Sequence, residues 1–131
     1  MKAVFLSFLM LATQNKSFTY GYQEMGCGKG KACIEGVSIT ASGDVLSKDI
    51  PSVAVPLPKN VPLEVVWIGL KTKDGECTKV KVNDRTSVSL VGKRGFDLSP
   101  AALAAIIGKA HRYWSGQLFL CNVESEKQKE N

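Results

Sequence analysis

The sequence predicts a mainly β domain, a small closed barrel of about six short strands with one short helix. Short apolar segments separated by glycine, proline and acidic turn residues predict the strands, and one segment carries both the start and the stop signal of a helix. Closing the sheet would remove its exposed strand edges. The 131 residues, 44% hydrophobic and 22% charged, suffice for one domain with a modest core and exclude a disordered chain.

The N-terminal residues are typical of a signal for export. Lys2 supplies a positive charge, and residues 3–12 form an apolar run that is too short to span a membrane. We predict a signal peptide over 1–16, a barrel domain over 17–123 and a polar tail over 124–131. A buried first strand or helix is the alternative for the N-terminal run. No later run reaches transmembrane length, so we expect no membrane span and a secreted or periplasmic location.

Three segments of the first half favour extended structure. Residues 17–22 are rich in aromatic side chains and predict a strand. Val37 and Ile39 alternate with polar residues, which predicts a half-buried strand over 37–40. Four prolines confine residues 49–62 to extended, turn-rich chain and exclude a helix there.

The middle of the chain predicts a hairpin. Residues 63–70 are apolar around a single glutamate and predict a strand buried on both faces, with Trp67 in the core. Residues 73–76 form the turn into a second strand over 77–82, in which lysines and valines alternate. Lys79 and Lys81 are predicted to face solvent, and Val80 and Val82 to face the core.

One helix and a last strand complete the domain. The Ser99 hydroxyl can cap the helix, Pro100 suits its first position, and Gly108 can end it. Residues 117–123 predict the final strand.

The charge balance favours an anionic partner. Seventeen lysines and arginines against twelve acidic residues give a net charge of +5. The aromatic residues are few and do not alternate with basic ones along the chain, and export would separate the protein from most nucleic acid. We therefore expect no nucleic-acid partner. We also expect a monomer that carries no cofactor.

The four cysteines predict two disulfides in an oxidising compartment, although four cysteines allow three pairings. Cys27 and Cys33 lie close together in a glycine- and lysine-rich stretch, whereas Cys77 and Cys121 lie in separate apolar segments. We predict the pairs Cys27–Cys33 and Cys77–Cys121. A metal site is not expected, because no two cysteines have a C-x2-C spacing and His111 is the one histidine.

Two acidic residues lie where functional sites often lie. Asp84 follows a predicted strand within the sequence Asn-Asp-Arg, and Asp97 lies two residues before the helix cap. Each also has a structural interpretation. Asp97 could accept hydrogen bonds from helix N–H groups, and Asp84 could form a turn or an ion pair with Arg85.

These motifs resemble the second half of the double-psi β-barrel that rare lipoprotein A, barwin-type proteins, expansins and related endoglucanases share. Its parts here are Asn-Asp-Arg at 83–85 and Phe-Asp-Leu-Ser-Pro-Ala-Ala at 96–102. Earlier motifs also match: a Tyr-Gly motif at 17–21, a Thr-x-x-Gly-acid turn at 40–44 and Leu-Pro at 57–58. The resemblance covers residues 18–123 and implies a six-stranded double-psi β-barrel with one short helix.

The resemblance implies a groove that binds cell-wall polysaccharide. The rare lipoprotein A branch implies peptidoglycan glycan as the substrate and Asp84 as the leading catalytic residue, with Asp44 nearby. The expansin and endoglucanase branches imply that Asp97 faces the sugar. Tyr20 would line the groove.

Arg85 and Trp114 are the remaining candidates for substrate binding. Trp114 ends the sequence His-Arg-Tyr-Trp after the helix, which could stack on a sugar or contact an anionic group. An interface or a plug at the end of the barrel is the alternative for this segment.

Cleavage of the glycan would need a single acidic residue, but the chain lacks two features of the family pattern. Lytic cleavage to an anhydro sugar can use a single acid, which first protonates the leaving oxygen and then deprotonates the attacking hydroxyl. The chain departs from the family pattern because Ser-Val-Ala-Val at 52–55 replaces the segment that carries a histidine, and Thr-Ser at 86–87 replaces Gly-Pro. We expect a protein that binds cell-wall polysaccharide, peptidoglycan rather than cellulose, with lytic cleavage by Asp84 as its chemistry. The alternatives are a non-catalytic polysaccharide-binding protein and a secreted effector or inhibitor of another protein.

Overall fold

The computed structural model of the chain describes residues 10, 16–20, 36–86, 95–108 and 113–123. This part is mainly β with a short helix, as predicted. The elements are β1 (Lys16–Tyr20), β2 (Ser52–Pro56), β3 (Val66–Lys71), β4 (Thr78–Thr86), β5 (Asp97–Leu98), α1 (Pro100–Ile107), β6 (Tyr113–Gln117) and β7 (Phe119–Cys121). No helix among the described residues is long and apolar enough to cross a membrane.

Several predictions concern residues outside the described part of the chain. They include the signal peptide, apart from Met10 and Lys16, and the Cys27–Cys33 disulfide. The polar tail and His111 also lie outside it.

The seven strands form one sheet in the order β6-β1-β5-β2-β4-β3-β7. The two strands at its ends, β6 and β7, are consecutive in the chain and are separated only by Leu118, which is fully buried. The sheet must therefore curl until its ends approach each other, and it forms a half-barrel. The predicted last strand over 117–123 is thus broken at Leu118 into two strands that pair with opposite ends of the sheet.

Strand β2 occupies the centre of this sheet. It pairs with β4 in parallel and with β5 in antiparallel orientation, and all five of its residues are buried. The extended structure predicted for 49–62 is confirmed, but a central strand inside this proline-rich segment was not predicted. Prolines remove backbone donors, and Pro51 and Pro56 lie just before and at the end of β2, where a missing donor is tolerated.

The hairpin of β3 and β4 is confirmed. The strands pair antiparallel, and the Gly75 N–H donates to the Thr72 carbonyl over 3.3 Å in the turn. Val80 and Val82 are fully buried, as predicted. We call the sheet face that carries these valines the inner face and the opposite face, which carries Lys79 and Lys81, the outer face.

The prediction that residues 63–70 form a strand buried on both faces, with Trp67 in the core, is wrong. Strand β3 begins only at Val66, and Trp67 is 48% exposed on the outer face. Residues opposite each other on paired strands share a face, and Trp67 lies opposite Lys81. An apolar run does not reveal that one of its faces stays open to solvent.

The half-buried strand predicted over 37–40 is also wrong. Residues 36–46 form a small hairpin, which we call the covering hairpin, with a single bridge between Ile39 and Val45. The alternation exists but has the opposite sense, because Val37 and Ile39 are exposed whereas Thr40 is buried. The polar side of this hairpin is the one that faces the rest of the protein.

The helix is confirmed with both of its predicted ends. Ser99 Oγ accepts a hydrogen bond from the Ala102 N–H, Pro100 is the first residue, and Gly108 adopts a left-handed conformation with φ of 84°. The buried core cluster joins helix and sheet. Its members are Val53, Val55, Leu57, Leu70, Val80, Val82, Phe96, Leu98, Ala102, Leu103 and Leu118.

The predicted disulfide between Cys77 and Cys121 is confirmed. It joins the start of β4 to the end of β7, on the outer face beside Gly69. A Cβ atom at position 69 would meet the carbonyl oxygen of Cys121 and the sulfur of Cys77. Glycine at this position therefore allows the disulfide to lie directly against β3.

Replacing Ser99 by Ala is expected to lower the free energy of unfolding by about 2 kcal/mol. The buried Ser99 Oγ accepts from the Ala102 N–H and from the Ser52 N–H, each over 3.1 Å, so the variant leaves two buried donors without their acceptor. Ser47→Ala is the matched control, since Ser47 Oγ also accepts two backbone N–H groups but does so at the surface. Equal losses for both variants in urea unfolding would contradict this prediction.

Candidate functional site

Strand β2 brings two of the predicted acidic residues together. Ala54 lies opposite Asp97 of β5 on one side and opposite Asp84 of β4 on the other. Cross-strand partners share a face, so both carboxyl groups project from the same face as the Ala54 methyl group. Neighbouring strands are about 4.8 Å apart, which places the two aspartate Cα atoms about 10 Å apart. The small side chain of Ala54 leaves the space between them open.

A β-bulge determines which face Asp84 occupies. Val53 pairs with Val82, but Ala54 pairs with Asp84, so Asn83 is an extra residue in β4. Without this insertion, strict alternation from Val82 would direct Asp84 toward the core. With it, Asp84 lies on the outer face.

Asp84 and Asp97 line a common cavity of about 10 Å³, whose other walls include Thr40, Leu46 and Ser99. A cavity of this size holds about one water molecule. The covering hairpin closes it from outside. The Ser42 N–H donates to the Asn83 carbonyl over 3.0 Å, which fastens the hairpin to β4.

The carboxylate of Asp84 also holds the covering hairpin. Asp84 Oδ1 accepts hydrogen bonds from the N–H groups of Ala41 and Arg85, both over 2.9 Å. Burial raises the pKa of Asp84 above the usual value of 3.8, although these two hydrogen bonds and the charge of Arg85 act in the opposite direction. A carboxyl group with a raised pKa retains its proton to higher pH, as a general acid must.

Asp44 lies in a contrasting environment. Its Oδ2 forms an ion pair with Lys81 Nζ over 2.6 Å, and the hydrogen bond from Lys81 lowers the pKa of Asp44. Asp44, Lys81 and Asn83 line a second cavity of about 190 Å³. Environments that shift two neighbouring carboxyl groups in opposite directions can separate an acid from a permanently ionised group. Here Asp84 is the candidate acid and Asp44 is the ionised group.

Ser99 caps α1, as predicted. Asp97 lies in β5, two residues before the cap, with its Oδ1 buried. Its carboxyl group is the second acidic group of the Asp84 cavity.

Two other predicted binding residues, Arg85 and Trp114, do not line this cavity. Arg85 lies opposite the buried Val55, and its Nη1 donates to the carbonyls of Pro58 and Val61 over 2.8 and 3.1 Å. It therefore anchors a loop in this structure. Trp114 packs against the hydrophobic core. Tyr20 ends β1 opposite Tyr113, and its side chain lies outside the described part of the structure.

Sequence reasoning missed several residues that shape the site. Nothing in the local sequence indicates that Ala54 separates the two acidic residues, or that Ala41 donates to Asp84. The chain matches no family model and no curated protein. Its function is therefore inferred from this geometry: a protonatable carboxyl group, a second carboxyl group across a one-residue gap, and an ionised acid paired with lysine.

Proposed function

We propose that this protein is an exported double-psi β-barrel that binds cell-wall polysaccharide and cleaves the glycan of peptidoglycan, with Asp84 as the acid and base. One observation carries the proposal: Asp84, whose pKa is raised by burial, shares a cavity with Asp97 on one face of the sheet.

A single carboxyl group can perform both proton transfers of lytic cleavage. Protonated Asp84 donates its proton to the glycosidic oxygen as the bond from that oxygen to the anomeric carbon breaks. The resulting carboxylate then takes a proton from a hydroxyl of the same sugar as that hydroxyl oxygen bonds to the anomeric carbon. The product is an anhydro sugar, no water is consumed, and Asp84 returns to its starting state.

The architecture supports the barrel part of the proposal. Parallel pairs join β1 with β5 and β2 with β4, and parallel neighbours require crossover connections that a simple up-and-down barrel does not contain. The Cys77–Cys121 disulfide supports export, because disulfides persist in oxidising compartments. The positive net charge favours anionic wall polymers.

Non-catalytic binding of the same polysaccharide is the second candidate, and the size of the cavity favours it. About 10 Å³ between Asp84 and Asp97 cannot contain a sugar ring, so the covering hairpin would have to move for a glycosidic bond to reach Asp84. The segment at 52–55, where the family pattern carries a histidine, lies within buried strand β2.

The test is incubation of the exported protein with purified peptidoglycan, both intact and stripped of its stem peptides. Soluble products are analysed by mass spectrometry, and bound protein is measured in the pellet. We expect anhydro-ended fragments that are absent without protein. Retention on the pellet without fragments would support the non-catalytic candidate. The proposal would be contradicted if the protein released no fragments from peptidoglycan and was not retained on the pellet.

A further inference from the structure

A third and larger site, a groove, lies on the outer face of β3, β4 and β7. It has a volume of about 490 Å³, within the range of small-ligand sites, and is lined by Trp67, Gly69, Lys79, Leu120 and Asn122 among others. None of these residues contributes to the Asp84 cavity. The groove combines an aromatic surface, a positive charge and an amide.

The register of the strands explains how this groove forms. Gly69 lies between Lys79 of β4 and Cys121 of β7, so the row at the centre of the groove has no side chain from β3. Trp67, two residues earlier on the same face, is 48% exposed. The carbonyl oxygen of Cys121 and the sulfur of Cys77 lie where a side chain at position 69 would project, so they border the groove beside the exposed indole.

Lys79 and Trp67 interact directly. Lys79 Nζ lies 5.1 Å from the centroid of the Trp67 ring, which is a cation–π distance. This contact keeps the ammonium group at the groove beside the aromatic surface. A ligand that carries both an apolar ring face and a negative charge could contact the two side chains together.

The groove and the Asp84 cavity lie along the same face of β4. Lys79 and Lys81 alternate on the outer face, and the bulge at Asn83 brings Asp84 to that face as well. Five residues of extended chain separate Lys79 from Asp84, a distance of about 17 Å. The cavity that contains Asp44 and Lys81 lies between them. An extended polymer could therefore occupy both ends of β4.

We propose that the Trp67–Lys79 groove binds a carboxylate-bearing sugar of an acidic polysaccharide, with the sugar ring against the indole and its carboxylate paired with the Lys79 ammonium. This rests on the proposed function and adds the chemical class of the bound polymer. Charge complementarity selects an anionic occupant. Among anionic polymers, the disulfide in the groove wall favours a polysaccharide over nucleic acid, because it fits an oxidising compartment.

The test compares two soluble probes by calorimetry: glycan strands of peptidoglycan stripped of stem peptides, whose sugars carry free carboxylates, and uncharged chitin oligosaccharides. We expect the acidic probe to bind more tightly and its affinity to fall with salt. Trp67→Ala and Lys79→Met are each expected to weaken its binding by about tenfold. Trp67→Phe, which retains an aromatic face, should recover part of the loss. Lys59→Met, which removes an exposed charge outside the groove, is the matched control.

The outcomes separate this inference from the proposed function. If the wild type binds the acidic probe and both groove variants bind it equally well, the groove assignment is wrong while polysaccharide binding stands. Equal affinity for the uncharged probe would overturn the requirement for a carboxylate. Salt-sensitive binding of single-stranded DNA that both variants lose, without binding of the acidic probe, would replace polysaccharide by nucleic acid as the occupant.

Discussion

Asp84→Asn is expected to lower the rate of glycan cleavage by about 10²–10⁴-fold, the usual contribution of a general acid or base. The asparagine oxygen can still accept from the Ala41 and Arg85 N–H groups, so the covering hairpin stays in place. The amide cannot deliver or remove the proton that the reaction requires. The measurement is the initial rate of release of anhydro-ended fragments from stripped peptidoglycan.

Two further variants make this experiment specific. Asp49→Asn changes the charge by the same amount at an exposed site and should retain the wild-type rate. Asp84→Ala removes the hydrogen-bond acceptor as well as the acid, so it should lose stability that Asp84→Asn retains. If the Asp84→Asn variant cleaves at the wild-type rate, Asp84 is not the acid. Asp97, which shares the cavity, would then be the candidate.

The same variant should change the pH dependence of stability. Because the pKa of Asp84 in the folded state is raised above 3.8, the folded protein binds more protons than the unfolded chain between 3.8 and the raised value. The contribution of Asp84 to the free energy of unfolding is therefore present at low pH, and it is lost as the pH rises through that window. Asp84→Asn lacks this loss, so its free energy of unfolding should increase relative to that of the wild type as the pH rises above 3.8.

Comparison with the wild type at each pH isolates this effect. The pKa of Asp44 is lowered by Lys81, so the stabilisation from Asp44 is present above 3.8 and is lost as the pH falls. This opposite trend is common to both proteins and cancels in the difference. A difference that does not change with pH would contradict the raised pKa of Asp84.

Removing the Cys77–Cys121 disulfide by replacing both residues with Ser is expected to lower the free energy of unfolding by about 4 kcal/mol. The bond closes a loop with a sequence separation of 44 residues, and such a cross-link restricts the unfolded chain strongly. In the folded state it fastens the three-residue strand β7 to the start of β4. Urea unfolding of the variant and the oxidised wild type measures the loss.

A matched variant with Ser at Cys27 and Cys33 provides the comparison. If these residues pair as predicted, their much shorter loop should contribute only about 2 kcal/mol. Peptide mapping without reduction checks the pairing itself, and a bond from Cys27 to Cys77 or Cys121 would contradict it. A loss below about 1 kcal/mol for the Cys77 and Cys121 variant would show that the cross-link does not stabilise this fold.

Local signals in the sequence predicted the elements whose formation depends on neighbouring residues. The helix between Ser99 and Gly108 and the hairpin turn at Gly75 are of this kind, because caps and turns depend on particular side chains at particular positions. The alternation of lysine and valine in β4 also predicted its two faces correctly. The extended chain around the prolines followed from their fixed backbone geometry.

The wrong predictions concern residues whose exposure to solvent depends on neighbours that are distant in the chain. The run that contains Trp67 is as apolar as a core strand, but the neighbours that decide its exposure come from β4 and β7. Val37 and Ile39 alternate correctly for a strand and yet face solvent, because the polar side of their hairpin packs over Asp84.

The sequence alone determined the mainly β class, the helix and the identity of the acidic residues worth testing. Only the tertiary structure decided that Asp84 and Asp97 share one cavity. Their proximity depends on Ala54 pairing with both and on the bulge at Asn83, which turns Asp84 away from the core. The packing of the whole sheet determines which distant strands pair and where the register shifts by one residue. The local sequence does not predict either feature.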